Sequence, residues 1–243
     1  MRHTTTRRFT MIPLLVVALI FAGCAPDKSM KADREMDEKT KQLEALEAKR
    51  VATIRNLAAM NTEQLALALA ADSERGREPF NSMALAEAVT RGSDFATQLA
   101  PLLRDADKRS FLALATLRTM KSDQYAELDP QFRVAVLTDA LATSVTFNTW
   151  GLPHLYWEDS AKAIIDEGEP AVPALKELLR DTRDAPMWGS EEVAEYELYR
   201  YRVCDYAWAL LTEIRGEATK EAIPRNPKER DVLIEEMLGQ TEE

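Results

Sequence analysis

The chain has 243 residues, with 31 basic against 41 acidic side chains and a net charge of −10. Such a balance repels the phosphates of nucleic acids and anionic lipid surfaces, so nucleic acid is not an expected partner. At this length the natural organisation is one folded domain with a tail.

The first 24 residues read as an export signal. Arg2, Arg7 and Arg8 give a positive start, and Phe9 to Ala22 is almost wholly apolar and uncharged. That run is shorter than the roughly 20 residues of a spanning helix. Small residues then precede a cysteine in Phe21-Ala22-Gly23-Cys24. The segment resembles the bacterial lipoprotein signal, in which Leu, Ala or Ser, and Gly or Ala precede the cysteine. Ala22, Gly23 and Cys24 match, and Phe21 stands where Leu is usual. The resemblance implies a signal peptide over 1–23 and acylation (palmitate among the acyl groups) at Cys24. It also implies a membrane partner through that lipid and a place in the cell envelope, facing the periplasm or the exterior. Each buried methylene of an acyl chain contributes about 0.8 kcal/mol, so several chains anchor a domain firmly. Ala25 lacks the aspartate that retains many lipoproteins at the inner membrane, which favours the outer membrane. The competing reading is a membrane-inserted helix with an incidental cysteine. Removal of residues 1–23 takes away three arginines and no acid, leaving 28 basic against 41 acidic residues, a net charge near −13. Cys204 is then the only other cysteine, so no internal disulfide is expected.

Residues 24–34 are polar and read as a lipidated tether. Residues 35–75 read as an N-terminal helix, with no Gly or Pro from Glu35 to Asp72 and many good helix formers. A heptad with Met36, Leu43, Arg50, Leu57 and Gln64 at one core position places Lys39, Leu46, Thr53, Met60 and Leu67 at the other. Six of these ten are apolar. The segment 35–72 is therefore either a stalk or homo-oligomerising coiled coil, or an amphipathic helix that folds back.

Residues 76–243 read as a helical domain. A charged loop containing Gly76 and Pro79 opens it. Helices are predicted over Phe80–Val89, from Ser93 to about Arg104 with a kink at Pro101, and over Lys108–Met120. Further helices are predicted over Gln131–Val145, Glu158–Glu167, Ala171–Arg180 and Glu191–Arg215, the last broken once. No segment alternates apolar and polar residues at period two, so the fold class is all-α. Leu102-Leu103-Arg104-Asp105 recurs as Leu178-Leu179-Arg180-Asp181. Downstream, Ala113, Leu117 and Met120 mirror Ala207, Leu211 and Ile214. The second copy carries 18 extra residues within Thr182–Tyr201. The run from Gly168-Glu169-Pro170 to Asp181, with Ala207-Trp208-Ala209-Leu210-Leu211, resembles a HEAT repeat. The resemblance covers about residues 80–216 and implies an irregular HEAT-like stack of antiparallel helix pairs.

No catalytic residue, metal site or cofactor is predicted. There is no phosphate-binding glycine loop, no paired-cysteine motif and no nucleophile elbow. His154 is the only histidine past residue 23, and one histidine with carboxylates is a poor zinc set. The strongest local signal is aromatic. Trp150, Trp157 and Trp188 lie in two loops that both contain Trp-Gly, and Tyr196, Tyr199, Tyr201 and Tyr206 follow among Arg200 and Arg202. Trp, Tyr and Arg anchor interfaces. Trp150, His154, Tyr156, Trp157, Trp188, Tyr199 and Arg200 are therefore the candidate binding surface, rimmed by Glu158, Asp159, Glu191 and Glu192. The alternative is that these rings close the end of the core. The expected function is a protein-binding scaffold in the envelope, not an enzyme. The alternatives are an oligomerising spacer, or a carbohydrate-binding or hydrolytic protein using His154 and nearby carboxylates.

Overall fold

The computed structural model describes residues 26–216 and 223–239, with backbone alone at 26–31 and 190–191. Residues 1–25 lie outside it, and with them the segment expected to be a signal peptide and Cys24. The described chain is all-α, with one short hairpin. Its elements are α1 (Pro26–Ala58), α2 (Thr62–Glu74), α3 (Met83–Thr90), α4 (Ser93–Leu99), α5 (Phe111–Thr119), α6 (Asp123–Glu127) and α7 (Pro130–Ala142). After the hairpin strands β1 (Gly151–Leu152) and β2 (Tyr156–Trp157) come α8 (Asp159–Glu167), α9 (Val172–Leu178), α10 (Ser190–Tyr199), α11 (Val203–Ile214) and α12 (Pro227–Gly239). No described helix is long and apolar enough to cross a membrane.

The chain divides into two compact units at Lys49–Arg50. In the first, residues 32–49 of α1 are exposed, Met36, Leu43 and Leu46 among them. Ion pairs one turn apart, Glu35–Lys39 and Asp37–Lys41, support this stretch.

The second unit takes in the end of α1. The helix predicted without a break over 35–72 is two helices, parted at Ala59-Met60-Asn61. The stop is tertiary in origin. The Arg91 guanidinium donates to the carbonyls of Leu57 (2.8 Å) and Met60 (2.8 Å), satisfying groups that a helix end leaves bare. Asn61 then starts α2, its side chain accepting from the Gln64 N–H while Gln64 accepts from the Asn61 N–H. Leu65 and Leu69 of α2 are fully buried, so this part of the predicted stalk belongs to the domain core. The domain thus begins earlier in the chain than residue 76.

Helix α11 is the centre of the second unit. Every residue from Val203 to Thr212 is buried, and all but Asp205 and Thr212 are apolar, as suits a helix enclosed in the core. It packs on α8, α9 and α12, while α7 packs on α5, α8 and α9. The kink expected at Pro101 is a stop: α4 ends at Leu99 and Pro101 sits in a 3-10 turn.

Both sequence repeats end in the same local device, an aspartate that accepts from the backbone and guanidinium of the arginine two residues on. The pairs are Asp107–Arg109 and Asp181–Arg183. These arginines hold both carboxyls below their ordinary range. The structural counterpart of Asp181 is thus Asp107, not the Asp105 that matches it in the sequence. Downstream, Ala113 and Leu117 are buried in α5, as Ala207 and Leu211 are in α11. The extra segment of the second copy contains α10. It is fastened to the start of α11, the Ala185 N–H donating to the Tyr201 carbonyl and the Val203 N–H to the Arg183 carbonyl.

Candidate functional site

Helices α5, α6, α7, α8 and α10, strand β2 and the turn at Pro79 surround a cleft of about 960 Å³ in the second unit. That is near the upper end of the range for sites that take drug-sized ligands. Phe111, Leu114 and Leu137 form its apolar floor, and Tyr125 and Tyr156 line it. Phe80 and Trp188 also line it yet are 66% and 67% exposed, so they sit where it opens to solvent. Arg118 and Lys121 stand at the end of α5. Glu158 and Asp159 stand at the start of α8, and Glu192 stands in the first turn of α10. The Arg118 guanidinium is already engaged, bonded to Asp166 at 2.6 Å and lying over the Tyr125 ring.

Trp188 is held from behind. Its backbone N–H donates to Asn148 Oδ1 at 2.9 Å, and the Asn148 amide donates back to its carbonyl. The Phe147 N–H donates to the Pro186 carbonyl at 2.8 Å. The two Trp-Gly loops therefore adjoin. Phe80 is carried on a 3-10 turn beside Glu78, whose carboxylate accepts from the Thr146 hydroxyl and the Thr149 N–H. The Thr149 and Ser160 hydroxyls in the cleft bond one another at 3.0 Å.

The predicted surface is distributed over several places. Tyr156 and Trp188 line the cleft. Trp150 is fully buried, stacked on Phe111, with its indole N–H donating to Ser144 Oγ at 2.8 Å. It offers a partner no surface. Trp157 is half-buried against Tyr206. Arg200 is exposed, pairs with Glu197 and lies over the Tyr196 ring. Of the predicted acidic rim, Glu158, Asp159 and Glu192 line the cleft, and the Glu191 side chain lies outside the described residues.

His154 and Tyr199 belong to a separate stack. The His154 ring lies 4.1 Å from that of Tyr199, and Tyr199 stacks on Tyr201 at 5.0 Å. Residues 153–155 form the hairpin turn, and His154 at its centre pairs with Glu195. A carboxylate only accepts, so Nε2 donates to Glu195 (3.1 Å), and neutral Nδ1 accepts from the Tyr201 hydroxyl (2.9 Å). Burial pushes His154 below its ordinary pKa of 6.5, against the opposing pull of Glu195. A depressed histidine takes up its proton later in the folded than in the unfolded chain. Stability is therefore complete above pH 6.5 and falls as the pH drops through the lower, folded pKa. Urea midpoints at about pH 7.5 and 5.5 check this: the acid-induced fall is expected to be smaller in His154→Gln than in wild type. An equal or larger fall in that variant would contradict it.

Among the described residues no three His, Cys, Asp or Glu gather as metal ligands. Burial pushes the Cys204 thiol up to about 12, which leaves it inert. Sequence reasoning missed Phe80, Asn148, Arg118, Lys121 and Tyr125. Only the exposed apolar Phe80 beside Pro79 gives any local sign; the others join the cleft through packing. No protein-family model, curated protein or solved structure matches the chain.

Proposed function

We propose that this chain is a lipid-anchored protein of the bacterial cell envelope whose helical, HEAT-like domain is a binding module. Its cleft receives a segment of a protein partner. One observation carries the reading: a tryptophan clamped by Asn148 is left 67% exposed at the mouth of an apolar cleft. Leaving a large ring in water forgoes about 25 cal/mol per Å² of burial. A ring held in place before binding loses little freedom when a partner covers it, which is how aromatic anchors concentrate binding energy. The anchor at Cys24 is supported by the three-part export signal and the small residues before the cysteine.

Crosslinking and pull-down in intact cells test both halves. Trp188→Ala is expected to fold as wild type does and to lose most of a captured partner. Cys24→Ser is expected to shift the protein from the membrane to the soluble fraction. Equal partner recovery with Trp188→Ala overturns the module, and an unchanged membrane fraction with Cys24→Ser overturns the anchor. Trp150 is unsuitable as a probe, because truncating so large a buried side chain costs about 3–5 kcal/mol in folding.

A second reading, self-association through 35–72, draws on the exposed Met36, Leu43 and Leu46. It applies to α1 alone, since α2 spends Leu65 and Leu69 on its own core.

A further inference from the structure

The charges around the cleft are unequal in what they have left to offer. Arg118 is committed to Asp166 and Tyr125. Asp159 has Lys162 at 3.5 Å. Glu158 and Glu192 have no ion-pair partner among the described residues, and Lys121 is the other cation lining the cleft. The whole chain adds a net charge of −10 to this local excess. A concave site with low-dielectric walls concentrates such a field and attracts positive groups. Placement adds to charge. The Glu192 carboxylate folds back against Gly189, with Oε2 2.5 Å from where a Cβ would stand. Gly189 follows Trp188 in the chain, so a cation stacked on the exposed indole also reaches this carboxylate.

We propose that the occupant of the cleft is a basic segment of a partner protein. In it an aromatic or aliphatic side chain enters between Phe80, Tyr156 and Trp188, and an adjacent lysine or arginine is held by Glu158 and Glu192. This rests on the binding-module reading above and adds the chemistry of the partner. An extended segment fits better than a small amine. The cleft of about 960 Å³ is open at its mouth and larger than such an amine would fill.

Trp188 makes the test direct. Trp150 and Trp208 are buried and Trp157 is half-buried, so quenching of tryptophan fluorescence by acrylamide reads mainly Trp188. Three blocked peptides serve as probes on the soluble domain-bearing chain: acetyl-Phe-Lys-Phe-Lys-amide, its Phe-Glu-Phe-Glu counterpart and an aromatic-free Ser-Lys-Ser-Lys. The first is expected to shield Trp188 and to bind roughly tenfold or more tightly than either other. The double variant Glu158→Gln, Glu192→Gln is expected to erase the preference for lysine over glutamate while keeping the aromatic preference. Rising salt should weaken the first peptide. Equal affinity for the lysine and glutamate peptides, with Trp188 shielded by both, overturns the basic segment and leaves the binding module standing. Absence of shielding by all three overturns the basic segment too, and the cellular crosslinking then decides the module separately. Phenethylammonium binding as tightly as the lysine peptide would replace the peptide by a small aromatic amine.

Discussion

Arg230→Ala is expected to cost about 3–5 kcal/mol of folding stability, the scale for removing one partner of a buried charge pair. Arg230 is 1% exposed on α12. Its Nε lies 3.0 Å from Oδ1 of Asp205, itself 1% exposed, as a charge contact without a directed hydrogen bond. The terminal nitrogens donate to four carbonyls, those of Tyr199, Arg200, Pro224 and Arg225. Two of these close the end of α10, where Arg200 takes a left-handed backbone. One guanidinium therefore joins α12, the α10 terminus and the first turn of α11. Alanine would leave Asp205 with Arg202 as its remaining cation and strand the carbonyls. Typical domains are stable by about 5–15 kcal/mol, so the loss is a large share of the total. Urea denaturation with the slope checked for constancy measures it. Arg230→Lys should also be costly, since an ammonium cannot reproduce the planar fork. A loss under about 1 kcal/mol in the alanine variant would mean that α12 is held by its apolar contacts alone.

Gly151→Ala is expected to destabilise by about 3 kcal/mol or more, through a steric cause that no rotamer relieves. Gly151 has φ +88°, and a Cβ there would lie 2.5 Å from the Tyr156 carbonyl oxygen and 2.8 Å from the Glu158 nitrogen. Both are backbone atoms, so the hairpin must open. That hairpin pairs Gly151 with Trp157 and Leu152 with Tyr156, and the Tyr206 hydroxyl donates to the Gly151 carbonyl at 2.7 Å. Opening it would displace Tyr156 and Glu158, which line the cleft, so peptide shielding of Trp188 should weaken as well. Gly168→Ala is the control. Gly168 has φ +65° with nothing within 4 Å of its Cβ position, so only the backbone preference is lost, about 1–3 kcal/mol. Thermal or urea unfolding of the two variants side by side reads the difference. Similar losses in both would remove the steric argument.

Much of the helical framework was legible because its signals are local. Asp129-Pro130 announces α7: the proline is the first helical residue, and the aspartate accepts from the Gln131 N–H. The four-and-three spacing of α11 is visible in Ala207, Leu211 and Ile214. The break between α1 and α2 was not legible, because Arg91, more than thirty residues on, supplies the partners that end the first helix. The hairpin was missed for a related reason. Its strands are two residues each, too short to show alternation, and they are held by Tyr206 from α11.

The candidate site divides along the same line. Residue types that cluster within one loop could be listed from the sequence, and Trp188 and Tyr156 were among them. Which rings face solvent could not, since Trp150 and Trp188 both sit in a Trp-Gly loop while one is fully buried and the other 67% exposed. By itself the sequence determined the all-α class, the helix starts marked by caps and prolines and the acidic character, all properties of neighbouring residues or of composition. The tertiary structure alone decided where α1 stops, that α2 joins the core, that His154 stacks away from the cleft, and that Phe80, Asn148 and Lys121 meet Trp188. Those outcomes depend on contacts between residues far apart in the chain, and such contacts are set by how helices pack, not by what any local stretch prefers.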